Sequence, residues 1–208
     1  MIETAHSPAR QRAPRGGTHV SLGVSPDRPV APLDSNPATK EAFMTAKTWA
    51  RVTGLDEKGV SATLTLGYQF GYPVAIAPDG VDITMHTPDL KVIGGIAAKV
   101  SPEIGGEIGA PPSASGKIGG EFGPELGAEA TIIPSTDVSF RVAPGKIQEV
   151  EALKVTMTNP RFAIDWDGIH LAVYNAVGPV TVRPFARILV TTKAGVYQVV
   201  ALGVPRQV

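Results

Sequence analysis

Residues 91–133 read KVIGGIAAKVSPEIGGEIGAPPSASGKIGGEFGPELGAEATII, and they divide into two faces. Every charged residue in the stretch is odd-numbered: Lys91, Lys99, Glu103, Glu107, Lys117, Glu121, Glu125 and Glu129. The large apolar residues are even: Val92, Ile96, Val100, Ile104, Ile108, Ile118, Phe122, Leu126 and Ile132. Only Ile93 and Ile133, at the ends, depart from this parity. Successive side chains of a strand point to opposite faces, so the pattern predicts an extended chain with charge on one side and hydrocarbon on the other. A helix would mix the two.

The two halves mirror each other about Ser113. Pairing residues whose numbers sum to 226 gives an antiparallel hairpin with Val100 opposite Leu126, Ile104 opposite Phe122 and Ile108 opposite Ile118. On the charged face Glu103 meets Gly123, Glu107 meets Gly119, Glu121 meets Gly105 and Glu125 meets Ser101. No two like charges stand directly opposite. Ala110 to Gly116, with two prolines, two serines and a glycine, suits the tip. A slip of one residue would put carboxylates on the apolar face.

Two strands alone bury too little to be stable. A membrane β-barrel asks for this pattern, apolar toward lipid and polar toward a wet lumen. Each arm of roughly seventeen residues, at ~3.3 Å per residue and a tilt of ~40°, gains about 42 Å of height. That exceeds a hydrocarbon core of ~30 Å. One hairpin supplies only two strands, so a barrel without open edges requires several chains. On this reading the odd-numbered charged residues line the pore, and Val92, Ile96, Val100, Ile104, Ile108, Ile118, Phe122 and Leu126 face lipid.

The rest of the chain reads as an all-β rim carrying this hairpin. Its 208 residues suit one or two domains, and a formal net charge of 0 argues against a nucleic-acid partner. There is no cysteine, hence no disulfide or thiolate site. No apolar run reaches the ~18 residues that a transmembrane helix needs. Residues 1–31, rich in Pro, Arg and Gly, read as a flexible arm without the apolar core of a signal peptide. Residues 32–90 and 134–208 form the rim, and 91–133 the stem.

Within the rim, Asn36-Pro37 predicts a cap and a short helix over 38–43. Strand patterns follow over 48–52 and 60–66, and a hairpin joins 74–77 to 81–86 around Pro78-Asp79-Gly80. Later strands are expected over 147–158, 161–165, 170–175, 180–190 and 196–202. Asn159-Pro160, Asp167-Gly168, Gly178-Pro179 and Ala194-Gly195 separate them as turns. Short strands at this spacing predict a β-sandwich.

Signals for chemistry are weak. Gly116-Lys117 lacks the spacing of a phosphate loop, and Ile118 stands where Ser or Thr is needed. Asp165 and Asp167 are read as turn residues. His6, His19, His86 and His170 show no metal-ligand spacing, and no serine sits in a nucleophile elbow. Trp49 and Trp166 are expected in the core or an interface. The sequence therefore predicts neither an enzyme nor a cofactor.

Three segments are similar to those of the MspA-type porins of mycolic-acid-bearing actinobacteria. They are Thr63 to Pro73 (TLTLGYQFGYP), Ile147 to Val150 (IQEV) and Arg183 to Arg187 (RPFAR); Pro32-Leu33-Asp34 resembles a shorter run upstream. The likeness extends over roughly 32–205. It implies a goblet-shaped homo-oligomer of about eight subunits in the mycolate outer membrane, each giving one hairpin to the barrel. It also implies passive diffusion of ions and small hydrophilic solutes, with lipid and further copies of the chain as partners. The family's aspartate pair at the constriction has no counterpart, since no Asp lies between Leu90 and Thr136.

Selectivity then rests on the hairpin's own charges. Five Glu and three Lys leave a net −2 per chain, and Glu103 lies diagonal to Glu121 and Glu125. Such a carboxylate belt favours cations. Pro102 and Pro124 face each other in this register and interrupt regular pairing. Two other classes fit parts of the pattern: a secreted pore-forming toxin whose hairpin inserts after assembly, and a soluble β-sandwich interaction module with a glycine-rich loop.

Overall fold

The computed structural model describes residues 11–12, 19–24, 28–30, 36–52, 59–73, 80–92, 96–97, 131–133, 135–157, 159–193 and 195–208. Their regular structure is all β. In chain order the strands are β1 (Gln11–Arg12), β2 (His19–Val24), β3 (Arg28–Val30), β4 (Lys40–Arg51), β5 (Ser61–Gly71), β6 (Val81–Thr87), β7 (Leu90–Val92) and β8 (Ile96–Ala97). There follow β9 (Thr131–Ile133), β10 (Thr136–Val142), β11 (Ile147–Met157), β12 (Arg161–Tyr174), β13 (Thr181–Thr192), β14 (Gly195–Leu202) and β15 (Arg206–Gln207).

Two antiparallel sheets carry most of them. The first has the order β1-β2-β4-β12-β6-β10, with β3 also on β4; the second has the order β14-β13-β5-β11-β8, with β15 on β13. A third, two-stranded ladder joins β7 to β9. Met44, Ile83, Met85, Phe140, Ile164 and Leu171 from the first sheet enter one buried cluster with Leu64, Phe70, Val150, Leu153, Val182 and Ile188 from the second. Sheet packed on sheet with a shared apolar interior is the sandwich that the strand spacing predicted. Alternation shows why: β6 is buried at every odd residue from Val81 to Thr87.

The expected helix over 38–43 is absent, and β4 occupies its place. Asn36 does cap, but it caps a turn: its side-chain oxygen accepts from the Ala38 amide at 2.9 Å, and its carbonyl accepts from the Thr39 amide at 3.0 Å. Beyond the turn Ala42, Met44, Thr48 and Ala50 are buried while Phe43, Lys47, Trp49 and Arg51 are exposed. That is a period of two, and it outweighs the cap signal.

The arm differs from its sequence reading as well. His19–Val24 and Arg28–Val30 pair with β4 in register, Val20 opposite Ala50 and Pro29 opposite Ala42. A twelve-residue strand presents a long edge, and these segments cover it.

Strands expected at 161–165 and 170–175 are one strand, β12. The turn placed at Asp167-Gly168 is a bulge in it, where the register with β4 shifts between Trp166 and Ile169 and Gly168 takes φ +80°. The bulge lets both Trp166 and Ile169 point inward. The hairpin proposed for 74–77 lies outside the described residues.

Candidate functional site

The candidate site is the root of the hairpin and the sheet that holds it. Strand β10 pairs with β6 over seven rungs, from Val142 opposite Val81 to Thr136 opposite Thr87. Strand β9 pairs with β7 in the same register, Ile133 opposite Leu90 and Thr131 opposite Val92, with every pair summing to 223. The two arms thus leave the rim as an in-phase extension of one antiparallel ladder at the end of the first sheet.

Side chains pin the junction. The Ser135 amide donates to the Asp89 carboxylate at 2.6 Å, and the Thr136 amide donates to the Thr87 hydroxyl at 3.2 Å. That hydroxyl donates in turn to the Thr136 carbonyl at 3.3 Å. From the core, Trp166 donates its indole N–H to the Pro88 carbonyl at 3.2 Å. Past the junction the outgoing arm crosses to the second sheet, where Ile96 and Ala97 pair with Met157 and Thr156 of β11. Sequence reasoning missed Thr87 and Asp89; their signal was Pro88, which breaks a strand pattern just before the amphipathic run.

The register at the root corrects the sequence reading. Pairs summing to 226 were expected, whereas Lys91 stands opposite Ile132. The cause is continuity with β6 and β10, whose seven rungs set the phase before the hairpin starts. Lys91 and Val92 lie in β7 and Ile96 in β8. Lys99, Val100, Glu103, Ile104, Glu107, Ile108, Lys117, Ile118, Glu121, Phe122, Glu125, Leu126 and Glu129 lie outside the described residues, as does the Pro102 and Pro124 pair.

The three sequence segments that resembled a known family meet in space. Gln69 on β5 stands between Glu149 on β11 and Arg183 on β13. Its amide NH2 donates to Glu149 at 2.9 Å, and its carbonyl accepts from Arg183 Nη2 at 2.6 Å and Nε at 3.0 Å. Arg187 pairs with both Glu149 and, at 3.4 Å, Glu151. This network covers the outer face of the second sheet.

Beneath it Phe185 stands opposite Gly67 and is only 1% exposed although it lies outside the sandwich core. A Cβ on Gly67 would sit 2.1 Å from the Val150 carbonyl oxygen and 2.8 Å from the Phe185 ring. Glycine is required there so that the ring can lie across the strand. The Arg187 guanidinium covers the ring in turn, 5.2 Å from its centroid. At the end of this sheet a groove of about 340 Å³ runs between Phe70, Tyr72, Ile147, Arg183 and Pro205.

On the outer face of the first sheet Asp82 accepts two bonds from Arg141, at 2.7 and 3.0 Å, and one from Asn175 at 3.3 Å. The Arg141 hydrogen bonds and charge, with help from Asn175, hold the Asp82 carboxyl below its ordinary range against the opposing effect of partial burial. Asp167 sits in the bulge of β12 and accepts from the Thr45 hydroxyl. Among the described residues no three acidic or histidine side chains converge on a metal position.

Comparison with known proteins agrees with this geometry. The sequence profile of the MspA family matches residues 17–207. Porin MspD of Mycolicibacterium smegmatis is 29% identical over 164 residues, covering 78% of this chain and 69% of that protein. Porins MspB and MspA of the same organism are also 29% identical over 164 residues, with 66% and 68% of their lengths covered. The chain thus spans about two thirds of the relatives it matches.

Proposed function

The chain belongs to the MspA family, and we propose that it is an outer-membrane porin, a water-filled channel through which ions and small hydrophilic solutes diffuse. The observation that carries this reading is the root of the hairpin, where β7 and β9 continue the ladder of β6 and β10 out of the rim. The segment between them alternates charge and hydrocarbon, as a wall between lumen and lipid does. Each chain brings one hairpin, so the channel is a homo-oligomer, of about eight copies by likeness to the family. Its place is the mycolate outer membrane.

Residues 91–133 carry the stem, with Ile96–Ala97 held on β11 of the rim, and the rim comprises the two sheets, β2 and β3 included. Lys91, Lys99, Glu103, Glu107, Lys117, Glu121, Glu125 and Glu129 line the lumen, and the alternate apolar residues face lipid, except Ile96, which pairs with Met157 of the rim. The root pairs an odd residue with an even one, whereas this arrangement pairs odd with odd. Glu103, Glu121 and Glu125 form the belt that favours cations.

Single-channel recording in a planar bilayer under a salt gradient tests the reading. Discrete long-lived steps are expected, with a cation preference that fades when the three glutamates become glutamine. Steps whose reversal potential ignores those changes would retain the pore and remove the belt. An assembled oligomer without steps would leave the interaction module as the better reading.

A further inference from the structure

Strand β5 carries two glycines on its outer face, each flanked by one residue of β13 and one of β11. Gly67 stands between Phe185 and Glu151, and Gly71 between Thr181 and Ile147. An arginine of β13 repeats with them: Arg187 follows Phe185 by two residues, opposite Thr65, and Arg183 follows Thr181 by two, opposite Gln69. The second arrangement is the first moved four residues along the ladder. They differ in what covers the glycine. The Phe185 ring lies on Gly67 beneath the Arg187 guanidinium, so that a Cβ on Gly67 would stand 2.8 Å from the ring, whereas a Cβ on Gly71 would meet nothing within 4 Å. Thr181 is too short to take the place of the ring, and the groove of about 340 Å³ opens there. The charge differs as well. Arg187 is matched by Glu149 and Glu151. Arg183 bonds the neutral carbonyl of Gln69, and among the described residues neither it nor Lys146, which lines the same groove, is paired with a carboxylate.

We propose that this groove is a small-molecule site and that its ligand is a planar aromatic anion. The ring lies on Gly71 as Phe185 lies on Gly67, against Ile147 and Pro205, and its carboxylate reaches Arg183 and Lys146. A glycine within a strand lets a ring approach the backbone closely, and a guanidinium beside the ring adds attraction to its face. The Arg183 N–H groups that Gln69 does not take serve the anion, since charge-assisted bonds are the stronger ones. The volume falls at the lower end of the ~300–1,000 Å³ typical of small-molecule sites. The site is built on the second sheet of the rim and stands whether or not the stem conducts.

Titration of the full chain with 2-naphthoate, before and after assembly in detergent and read on isoleucine δ1 methyls by NMR, tests it. The ring should shift the methyl of Ile147, which is 57% exposed in the groove wall, and leave that of the buried Ile188 unmoved. Half-saturation is expected on the order of 1 mM or below. The neutral 2-naphthamide should need about tenfold more, and Lys146→Gln should remove part of that difference. Thr181→Phe supplies the missing ring from β13, and Gly71→Leu fills the hollow from β5. Each should keep the melting temperature and abolish the Ile147 response. No Ile147 shift in the wild type, or a shift that a folded filling variant retains, would overturn the site. Equal half-saturation for naphthoate and naphthamide would overturn the anionic class of ligand. A response present before assembly and lost after it would assign the groove to a neighbouring copy and overturn the ligand.

Discussion

Trp166 donates its indole N–H to the Pro88 carbonyl at 3.2 Å, so the bulge in β12 reaches the point where the hairpin leaves the rim. The ring is 2% exposed, and without the bond the carbonyl would stand close to the core unsatisfied. Trp166→Phe keeps most of the packing and removes the donor. It should cost ~1–3 kcal/mol in urea denaturation, with faster exchange of the amides at Leu90 and Ser135. Loss of stability without faster exchange there would separate the packing of the ring from its hold on the hairpin.

Gly67 and Phe185 should behave as a pair. Gly67→Ala drives a methyl against the Val150 carbonyl and the ring, and overpacking of this kind costs ~1–3 kcal/mol. Phe185→Ala uncovers the glycine and should cost ~3–5 kcal/mol. The double variant should be more stable than the sum of the two losses implies, because the ring that the methyl strikes is gone. Chemical denaturation of the four proteins checks this.

Arg187 joins two half-buried carboxylates, Glu149 and Glu151. Arg187→Met leaves both without that cation and should destabilise the rim by ~1–3 kcal/mol, discounted for partial exposure. Adding Glu149→Gln should restore part of the loss. Equal stability of the single and double variants would show that the guanidinium acts through its packing on Phe185.

The bonded Asp82 carboxyl titrates below its ordinary range, so its contribution to stability has a definite sign. A depressed folded pKa stabilises the rim above the unfolded pKa of about 3.9, and the contribution fades as pH falls through the lower folded value. Arg141→Gln should lower the melting temperature slightly at neutral pH and leave it unchanged below the folded pKa, so that the acid limb becomes shallower, and the effect is small because both groups are well exposed. An acid limb identical to the wild type would place the acid sensitivity elsewhere.

The rim should stand without its stem. Strands β7 and β9 are paired at Val92 and Thr131, so a short Asn-Gly turn can replace 93–130, at the loss of the two rungs of β8 on β11. That protein should melt within ~1 kcal/mol of the full chain and show no conductance. Collapse of the rim would mean that the stem contributes to its core.

The sequence by itself determined the features that repeat with a period of two. Charge parity in 91–133 marked an amphipathic hairpin, because side-chain direction in a strand is a local property, and short strand patterns separated by turn residues marked a sandwich. It also held the three segments around Gln69, Glu149 and Arg183, although nothing in their spacing says that they are adjacent strands. Contacts between distant segments decided the rest. Asn36 capped a turn because β4 found partners in β2 and β12, and Asp167-Gly168 became a bulge because β12 continued along β4. The phase at the root of the hairpin, β7 against β9, came from seven rungs of β6 and β10 rather than from mirror symmetry about Ser113. Register is a relation between two strands, and it is set by whichever ladder is already fixed by the core.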